Sequence, residues 1–222
     1  MSNIKLVHSG GNSVSITTPD SNPASNRTLK LPSNADGNIL TSTSGSSIQV
    51  LEQFYSPCDG STIATSAGNI TLENVTAKQQ ATTSFVDMTG SSITYTPPTG
   101  TIQVIYRFQF ASHSDGDDNG ILSCGFYVDG NLITDARQAH RHGSQYYPKS
   151  IDFTWGINIG GSTSTATGRL ASWTSGKVLK IQICDYGSNN EAQVHYTNLF
   201  GTGGIDAVRR PCIGITAIGV PS

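Results

Sequence analysis

Charged residues are scarce in this sequence, and neither sign is concentrated along it. Only 13% of the residues are charged, the formal net charge is −2, and lysine and arginine form no run. Proteins that bind nucleic acid carry a basic patch that neutralises phosphates, so we expect no nucleic-acid partner. The sequence also lacks the stretch of about 20 apolar residues that a membrane span requires, so we expect no membrane insertion.

Secretory and cysteine signals are also weak. The opening residues, Met1–His8, contain no apolar segment of the kind that a secretory signal carries, so we expect a protein made and assembled in a cytoplasm. In a reducing compartment cysteines are expected to be buried thiols. A disulfide such as Cys58–Cys212 is the alternative, and the sequence does not choose among the three full pairings. The cysteines are Cys58, Cys124, Cys184 and Cys212.

What the sequence does contain is alternation of apolar and polar residues with a period of two. Such alternation over Thr101–Phe110 predicts a strand with one buried face. Ile121–Asp129 and Ile151–Ile159 alternate in the same way, and Asp129-Gly130 supplies the positive φ angles of a hairpin turn. On the first two of these strands, the residues expected to face the core are Ile102, Val104, Tyr106, Phe108, Phe110, Leu122, Cys124, Phe126 and Val128.

These patterns predict an all-β protein. Roughly ten strands over about 165 residues, with polar turns between them, are typical of an antiparallel β-sandwich of jelly-roll type. We assign residues 57–222 to this head. Residues 46–56 form a linker or a short helical neck, because Ile48, Leu51 and Tyr55 recur at a spacing of three and four, although a short strand fits equally well.

Residues 1–45 contain short alternating fragments broken by turn residues, and too few apolar side chains to form a core alone. If the segment is ordered, other chains must cover it, which an intertwined homotrimer would do. The competing interpretation is a flexible leader. The residues available for docking and trimer contacts are Ile4, Leu6, Val14, Ile16, Leu29, Leu31, Ile39 and Leu40.

Seven stretches of the sequence are characteristic together: Cys58–Ser61, Phe85–Pro98, Tyr127–Gly130, Thr154–Gly161, Gly168–Trp173, Tyr186–Glu191 and Ile215–Gly219. Through these stretches the chain resembles a family of structural and fibre proteins of tailed bacteriophages, of the marine cyanophage type. Asn12–Thr17 and Arg27–Pro32 separately resemble the β modules at phage fibre bases. The resemblance implies a virion protein assembled in the host bacterial cytoplasm, with an N-terminal foot that docks on another virion protein and a trimeric jelly-roll head.

The polar turn Asp115–Gly120 matches the first half of a calcium-loop pattern, in which Asp115, Asp117 and Asn119 would be the ligands. The twelfth position should be Glu, but it is Phe126 on an inward strand face. The sequence therefore favours a plain polar hairpin, with a calcium ion as the alternative and no other cofactor expected.

A second polar segment contains His140, His142, Tyr146 and Tyr147. Histidines two residues apart share one face of a strand, as zinc or nickel ligands would, and His113, His195 or another protomer would have to complete the site. A solvated loop is the simpler interpretation. Contact with a host receptor is the third, because tyrosine, histidine and arginine suit exposed recognition loops.

Catalytic signatures are missing: the sequence has no Gly-x-Ser-x-Gly elbow, phosphate loop or His-Glu-x-x-His motif. Asp152, Asp185 and Glu191 are the carboxylates that glycan cleavage would use, and Asp152 and Asp185 are expected to face outward. We therefore expect no enzyme. The sequence leaves open a host-attachment appendage, a capsid decoration (cement) protein and a glycan depolymerase.

Overall fold

The computed structural model describes residues 4–7, 10, 13–16, 48–114, 120–141, 148–187, 192–197 and 207–220. The chain forms two compact units, Met1–Gly45 and Ser46–Ser222. In the first unit, β1 (Ile4–Val7) pairs antiparallel with β2 (Ser13–Ile16), and the register sets Ile4 opposite Ile16 and Leu6 opposite Val14. Four residues of the predicted docking set lie outside the described residues: Leu29, Leu31, Ile39 and Leu40.

The second unit consists of strands and turns, with no helix among its described residues. None of the residues that the structure describes therefore supplies a helix with the length and apolarity needed to cross a bilayer. The strands are β3 (Gln49–Pro57), β4 (Thr62–Thr65), β5 (Gly68–Thr71), β6 (Gln79–Gln80), β7 (Val86–Asp87), β8 (Ile93–Tyr95), β9 (Thr101–Ser114), β10 (Ile121–Val128), β11 (Asn131–Arg141), β12 (Lys149–Asn158), β13 (Lys177–Asp185), β14 (Ala192–Val194), β15 (Tyr196–Thr197), β16 (Ala207–Val208) and β17 (Cys212–Gly219).

The strands form two main sheets. One contains β3, β17, β9, β14 and β6 in that order, and β12 pairs along β9 as its sixth strand. The other contains β11, β10, β13 and β7 in that order, with β8 also paired to β13. Every pairing within both sheets is antiparallel. The predicted fold class, an antiparallel β-sandwich of jelly-roll type, is confirmed.

Apolar side chains from both sheets form the core. On β9 the inward residues from Val104 to Phe110 are at most 2% exposed, whereas Ile102 is 41% exposed. The Tyr106 and Phe126 rings lie 4.9 Å apart between centroids, and Phe126 lies 5.5 Å from Phe153. Because these contacts join β9 and β12 to β10, they link one sheet to the other. The second sheet contributes Leu122, Cys124, Phe126, Val128, Leu179, Ile181 and Ile183.

The predicted hairpin turn between β10 and β11 is confirmed. Asp129 and Gly130 both adopt positive φ, 48° and 78°, as a tight turn between twisted strands requires. The Asp129 carboxylate accepts hydrogen bonds from the Val178 amide (2.9 Å) and from Lys177 Nζ (2.8 Å). These contacts, with Lys177 the larger cause, lower the pKa of Asp129 and attach the turn to β13.

The helical interpretation of residues 46–56 is wrong, because β3 occupies most of this stretch and pairs with β17. The register shifts between Ala217 and Ile218, so that Glu52 faces Ala217 while Val50 faces Ile218, and Leu51 is the additional residue. A bulge of this kind changes which face a side chain occupies. It therefore places apolar residues at intervals of three and four that resemble a helical period.

Two strand glycines differ in what an added side chain would meet. A Cβ on Gly219, opposite Thr101, would lie 2.1 Å from the Gly100 carbonyl oxygen, which belongs to the backbone and cannot move aside. A Cβ on Gly156 would meet only the Gln103 side chain, at 3.4 Å or more. Close backbone approach thus requires glycine at position 219 and not at position 156.

We predict that Gly219→Ala lowers the free energy of unfolding by about 2 kcal/mol, because the methyl group forces β17 away from β9. Gly156→Ala is the matched control and should change it by less than about 1 kcal/mol, since alanine restricts the unfolded chain without a clash. Urea denaturation followed by tryptophan fluorescence measures both. Equal effects of the two substitutions would contradict the assigned approach of Gly219 to Gly100.

Candidate functional site

A polar cleft of about 320 Å³ opens where several strands of the six-stranded sheet begin or end. Residues 109–111 of β9, residues 148–150 at the start of β12, and Cys212 at the start of β17 form part of its wall. Thr197, Arg209 and Arg210 complete it. The cleft therefore joins segments that are distant in sequence.

Backbone pairing holds these segments in place. Ser150 lies opposite Ala111, and Cys212 lies opposite Gln109 in the neighbouring ladder. The His195 amide donates to the Ala111 carbonyl at 2.8 Å, and the Arg209 amide donates to the His195 carbonyl at 2.9 Å. Since main-chain hydrogen bonds fix the wall, the side chains project from a rigid frame.

Three basic residues, Lys149, Arg209 and Arg210, contribute to the lining of the cleft, and no acidic residue is among the described residues of that lining. Lys149 Nζ donates to the Arg141 carbonyl, and Arg210 Nε donates to the Val75 carbonyl at 3.3 Å. Both residues remain exposed, as does Arg209. Both acceptors are main-chain carbonyls of residues outside the cleft lining.

The closest acidic residue in the sheet register is already paired. Asp152, opposite Gln109 on β12, accepts two hydrogen bonds from Arg107 Nε, at 2.9 and 3.0 Å, and a third from Nη2. Hydrogen bonding to Arg107 lowers the pKa of Asp152. The Arg107 guanidinium lies 5.2 Å from the centre of the Tyr55 ring, whose hydroxyl donates to Gln109 Oε1 at 2.8 Å. Asp152 thus does not offset the cations of the cleft.

His195, whose backbone joins the cleft wall, is buried completely and has a positive φ of 65°. Its ring lies edge-on to Phe108 and Phe110, with centroids 6.3 and 6.4 Å away. Within the described part of the chain, neither ring nitrogen makes a hydrogen bond of normal geometry. Burial lowers the pKa of His195 to about 4, which the Thr89 carbonyl opposes only in part. The ring is therefore neutral near pH 7.

The structure separates the histidines that the sequence grouped as metal ligands. His113 is 1% exposed and lies edge-on to Tyr196, and His195 is buried. His140 on β11 is only partly buried, with Nε2 3.1 Å from Gln138 Oε1. Burial, reinforced by Lys149, lowers the pKa of His140. Among the described residues, no three histidine, cysteine or carboxylate side chains are placed to hold a metal ion.

The remaining predicted site residues fall outside the described part of the chain. They are the calcium-loop residues Asp115, Asp117 and Asn119, and the receptor-loop residues His142, Tyr146 and Tyr147. Glu191 is also outside it.

The expectation that Asp185 faces outward is wrong. Asp185 is 3% exposed and lies on the same face of β13 as Ile181 and Ile183. Its carboxyl oxygens accept hydrogen bonds from the Gly187 amide (3.1 Å) and the Ala192 amide (3.0 Å), so these buried polar atoms have partners. Asp185 thus fixes the segment that follows β13 through these hydrogen bonds, and its carboxyl group is not exposed as glycan cleavage would require.

The expectation of four buried thiols is only half right. All four cysteines are free, but Cys184 and Cys212 are partly exposed, whereas Cys58 and Cys124 are buried. Burial raises the pKa of Cys58 and of Cys124 to about 12, and the Cys58 thiol donates to the Gly90 carbonyl at 3.3 Å. These two thiols therefore behave as core residues.

Sequence reasoning did not identify the cleft, although one signal was present. Arg209-Arg210 is the one place in the chain where two basic residues are adjacent. Lys149 lies seven positions beyond His142 of the predicted receptor loop. Only the pairing of β9 with β12 and β17 brings these distant positions to one cleft.

Comparisons with known proteins give little. No protein-family model matches the chain, and no curated protein matches it. The chain is similar to the structure of infectious bursal disease virus, Gt strain, with TM-score 0.33, 11% identity, and coverage of 96% of this chain and 48% of that one. For the Gx strain the values are 0.33, 13%, 94% and 51%, and for the VP2 subviral particle of that virus 0.32, 10%, 88% and 46%. The chain spans about half the length of these structures, and likenesses this distant carry no conclusion.

We predict that acid destabilises the protein through His195. The folded-state pKa, about 4, lies below the unfolded value of about 6.5, so the unfolded chain binds the proton first. Stability is therefore full above that unfolded value and falls as the pH is lowered through the folded pKa. By pH 4 the loss from this ring should reach about 3 kcal/mol.

Urea denaturation at a series of pH values tests this prediction. His195→Asn should flatten the dependence, since asparagine tolerates positive φ and does not titrate. His140→Asn is the control and should retain most of the dependence. An unchanged slope in His195→Asn would show that other groups cause the acid effect.

Proposed function

We propose that this chain is a non-enzymatic structural protein of a tailed-bacteriophage virion. It is a homotrimeric fibre or appendage protein, docked on the particle through residues 1–45, with an outward jelly-roll head that contacts the host surface. The observation that carries the proposal is the antiparallel sandwich built by the head, over the residues in which the phage resemblance was found. A jelly roll hosts many functions, so the assignment depends on the resemblance and the fold together.

The stretches that resemble the phage family make contacts that hold the sandwich together, and this supports a structural role for the protein. Trp173 Nε1 donates to the Tyr95 carbonyl at 3.1 Å, so the stretches 85–98 and 168–173 meet. The Tyr106 hydroxyl donates to the Ser91 carbonyl at 2.6 Å within the core. Gly160 and Gly161 turn the chain at φ 110° and 76° after β12. What resembles the phage family is thus mainly what holds the head together.

A face of the six-stranded sheet suits contact between copies of this chain. Val50 lies opposite Ile218 on its outward side, and Val50 and Tyr55 are 53% and 45% exposed. Gln103 pairs with Ile218 on β9. Ile105 lies two residues further along the same side, opposite Gly156, which adds no side chain there. Second and third copies are the proposed occupants, because β3 begins directly after a segment that has too few apolar residues to fold alone.

Light scattering on the purified full chain tests the trimer. We predict a mass three times the 23.4 kDa of one chain, and a lower mass for Val50→Lys because a charge would be buried at the contact. Val208→Lys is the matched control: Val208 is 40% exposed on β16, which pairs with β15 and is not a strand of the six-stranded sheet, and its substitution should leave the mass unchanged. A folded monomer of the unaltered chain would refute the trimer.

Location on the particle distinguishes host attachment from the cement alternative. We predict that a cryo-EM map of intact virions places the chain at the tail or at a vertex, with the head directed outward. Regular decoration of the capsid lattice would favour cement, and absence from virions would refute the virion assignment. Appearance of reducing ends from host polysaccharide would show that the protein is an enzyme.

A further inference from the structure

We propose that the outward face of the five-stranded sheet binds a neutral oligosaccharide along the edge formed by β7 and β8. This inference rests on the proposed function, since it assigns the host-surface contact to a place on the head and to a class of ligand. In the proposed trimer the six-stranded sheet meets the neighbouring copies, so the outward face of the other sheet is the one turned towards the host.

An apolar patch lies on this face, over Gly125. A Cβ placed on Gly125 would lie 3.0 Å from Leu132 Cδ1, 3.2 Å from Tyr127 Cε2 and 3.8 Å from Phe85 Cε1, so these three side chains converge there. Phe85 is 49% exposed, and Tyr127 and Leu132 are half-buried. Aromatic rings beside a few polar groups suit a ligand with an apolar and a polar side, and a sugar ring has both.

A polar cluster adjoins the patch. Asp87 lies opposite Gln182 on β13, and Gln182 lies opposite Gly125 on β10. The Asp87 carboxylate accepts hydrogen bonds from Gln182 Nε2 at 2.8 Å and from Lys180 Nζ at 2.9 Å. The Asp87 carbonyl accepts another from Gln79 Nε2 at 2.7 Å. The carboxylate is therefore held in one position, and Lys180 balances its charge.

This cluster suits sugar hydroxyls. A carboxylate offers about four acceptor positions, so the contacts with Gln182 and Lys180 leave room for hydroxyl donors. Hydrogen bonding to Lys180, the largest cause, lowers the pKa of Asp87, and the group therefore stays an acceptor at neutral pH. Because Asp87 and Lys180 form an ion pair, the cluster favours a neutral ligand over a charged one.

A cavity of about 480 Å³ lies at the same edge of the sheet, within the usual range of ligand sites, about 300–1,000 Å³. One wall comes from the β4–β5 hairpin and the other from residues 92–96 around β8. Threonine residues of both walls contribute to the lining, together with Ser92 and Asn69. Ser92 and Thr94 are on the exposed side of β8, whereas Ile93 faces the core. The cavity is thus reached from the outward face.

Glu52 fixes the two walls relative to each other. Its carboxylate accepts a hydrogen bond from the Ser66 amide in the turn of the hairpin, and another from the Tyr95 hydroxyl on β8 at 2.7 Å. Tyr95 is buried, and its ring lies edge-on to Trp173 with centroids 6.1 Å apart. The cavity is therefore preformed by groups that the core holds.

The register of β13 connects the cavity with the polar cluster. Thr94 lies opposite Val178, and Asp87 lies opposite Gln182. Val178, Lys180 and Gln182 alternate onto the same half-buried, outward side of β13. Four positions along a strand span about 13 Å. A ligand that reaches from the patch to the cavity is therefore an extended chain of sugar units and not a single one.

Isothermal titration calorimetry of the full chain tests the proposal with neutral hexasaccharides of glucose, mannose and galactose, their monosaccharides, and acidic oligogalacturonate. We expect saturable binding of at least one neutral hexasaccharide, changed by less than about twofold on addition of salt because the ligand carries no charge. The matching monosaccharide should bind more weakly. Binding of oligogalacturonate alone, equal affinity for the monosaccharide, or binding of no probe would overturn the assignment.

Substitutions locate the site. Phe85→Ala should weaken binding about fivefold or more, because aromatic side chains dominate contacts of this kind. Ile102→Ala is the matched control, since Ile102 is 41% exposed but belongs to the six-stranded sheet. Asp87→Asn should weaken binding about tenfold through loss of a charge-assisted acceptor. Asp135→Asn, at an exposed acid on β11 at the opposite edge of the sheet, is its control. Equal weakening by the controls would overturn the proposal.

Two further outcomes are distinguishable. Because Asp87 also pairs with Lys180, Phe85→Ala provides an independent test if Asp87→Asn unfolds. In light scattering Phe85→Ala should have the mass of the unaltered chain. A lower mass would show that another copy covers this face and would overturn the saccharide assignment.

The results separate this inference from the proposed function. No binding of any neutral hexasaccharide, by a chain that is trimeric and present in virions, would overturn the saccharide site and leave the virion role intact. Binding that meets the expectations, by a chain absent from virions, would support the site and refute the virion role.

Discussion

One strand, β9, determines both the core and the cleft. Its inward side chains pack against the second sheet, with the Tyr106 and Phe126 rings 4.9 Å apart. Its two backbone edges pair with β12 on one side and with β17 and then β14 on the other. A shift of one residue in this register would reverse every side chain of the strand between core and surface. The same register sets residues 109–111 beside Lys149 and Cys212, so the cleft exists because the core fixes β9.

Buried polar groups show how the head tolerates departures from an apolar core. The Tyr106 hydroxyl donates to the Ser91 carbonyl, and the Ser91 hydroxyl accepts from the Ile181 amide at 3.1 Å, so these groups are paired. His195 instead is neutral because charging it would cost too much inside the sandwich. Its main chain meanwhile donates to Ala111 and accepts from Arg209. The backbone of His195 thus supports the cleft, while its ring makes that support sensitive to acid.

Periodicity was sufficient to predict the long strands but not the contacts between them. β9, β10 and β12 follow from alternation because each buries one face. The period failed at Leu51, where a bulge shifts the faces. Asp185 was misplaced for another reason. The alternation of β13 places Asp185 on the inward face, whereas an acidic side chain ordinarily prefers solvent. Two backbone amides donate to its carboxyl group and outweigh the preference for solvent.

The cleft could not be predicted because its parts have no local signal in common. Lys149 and Arg210 are 61 positions apart in sequence, and only long-range antiparallel pairing brings their strands to β9.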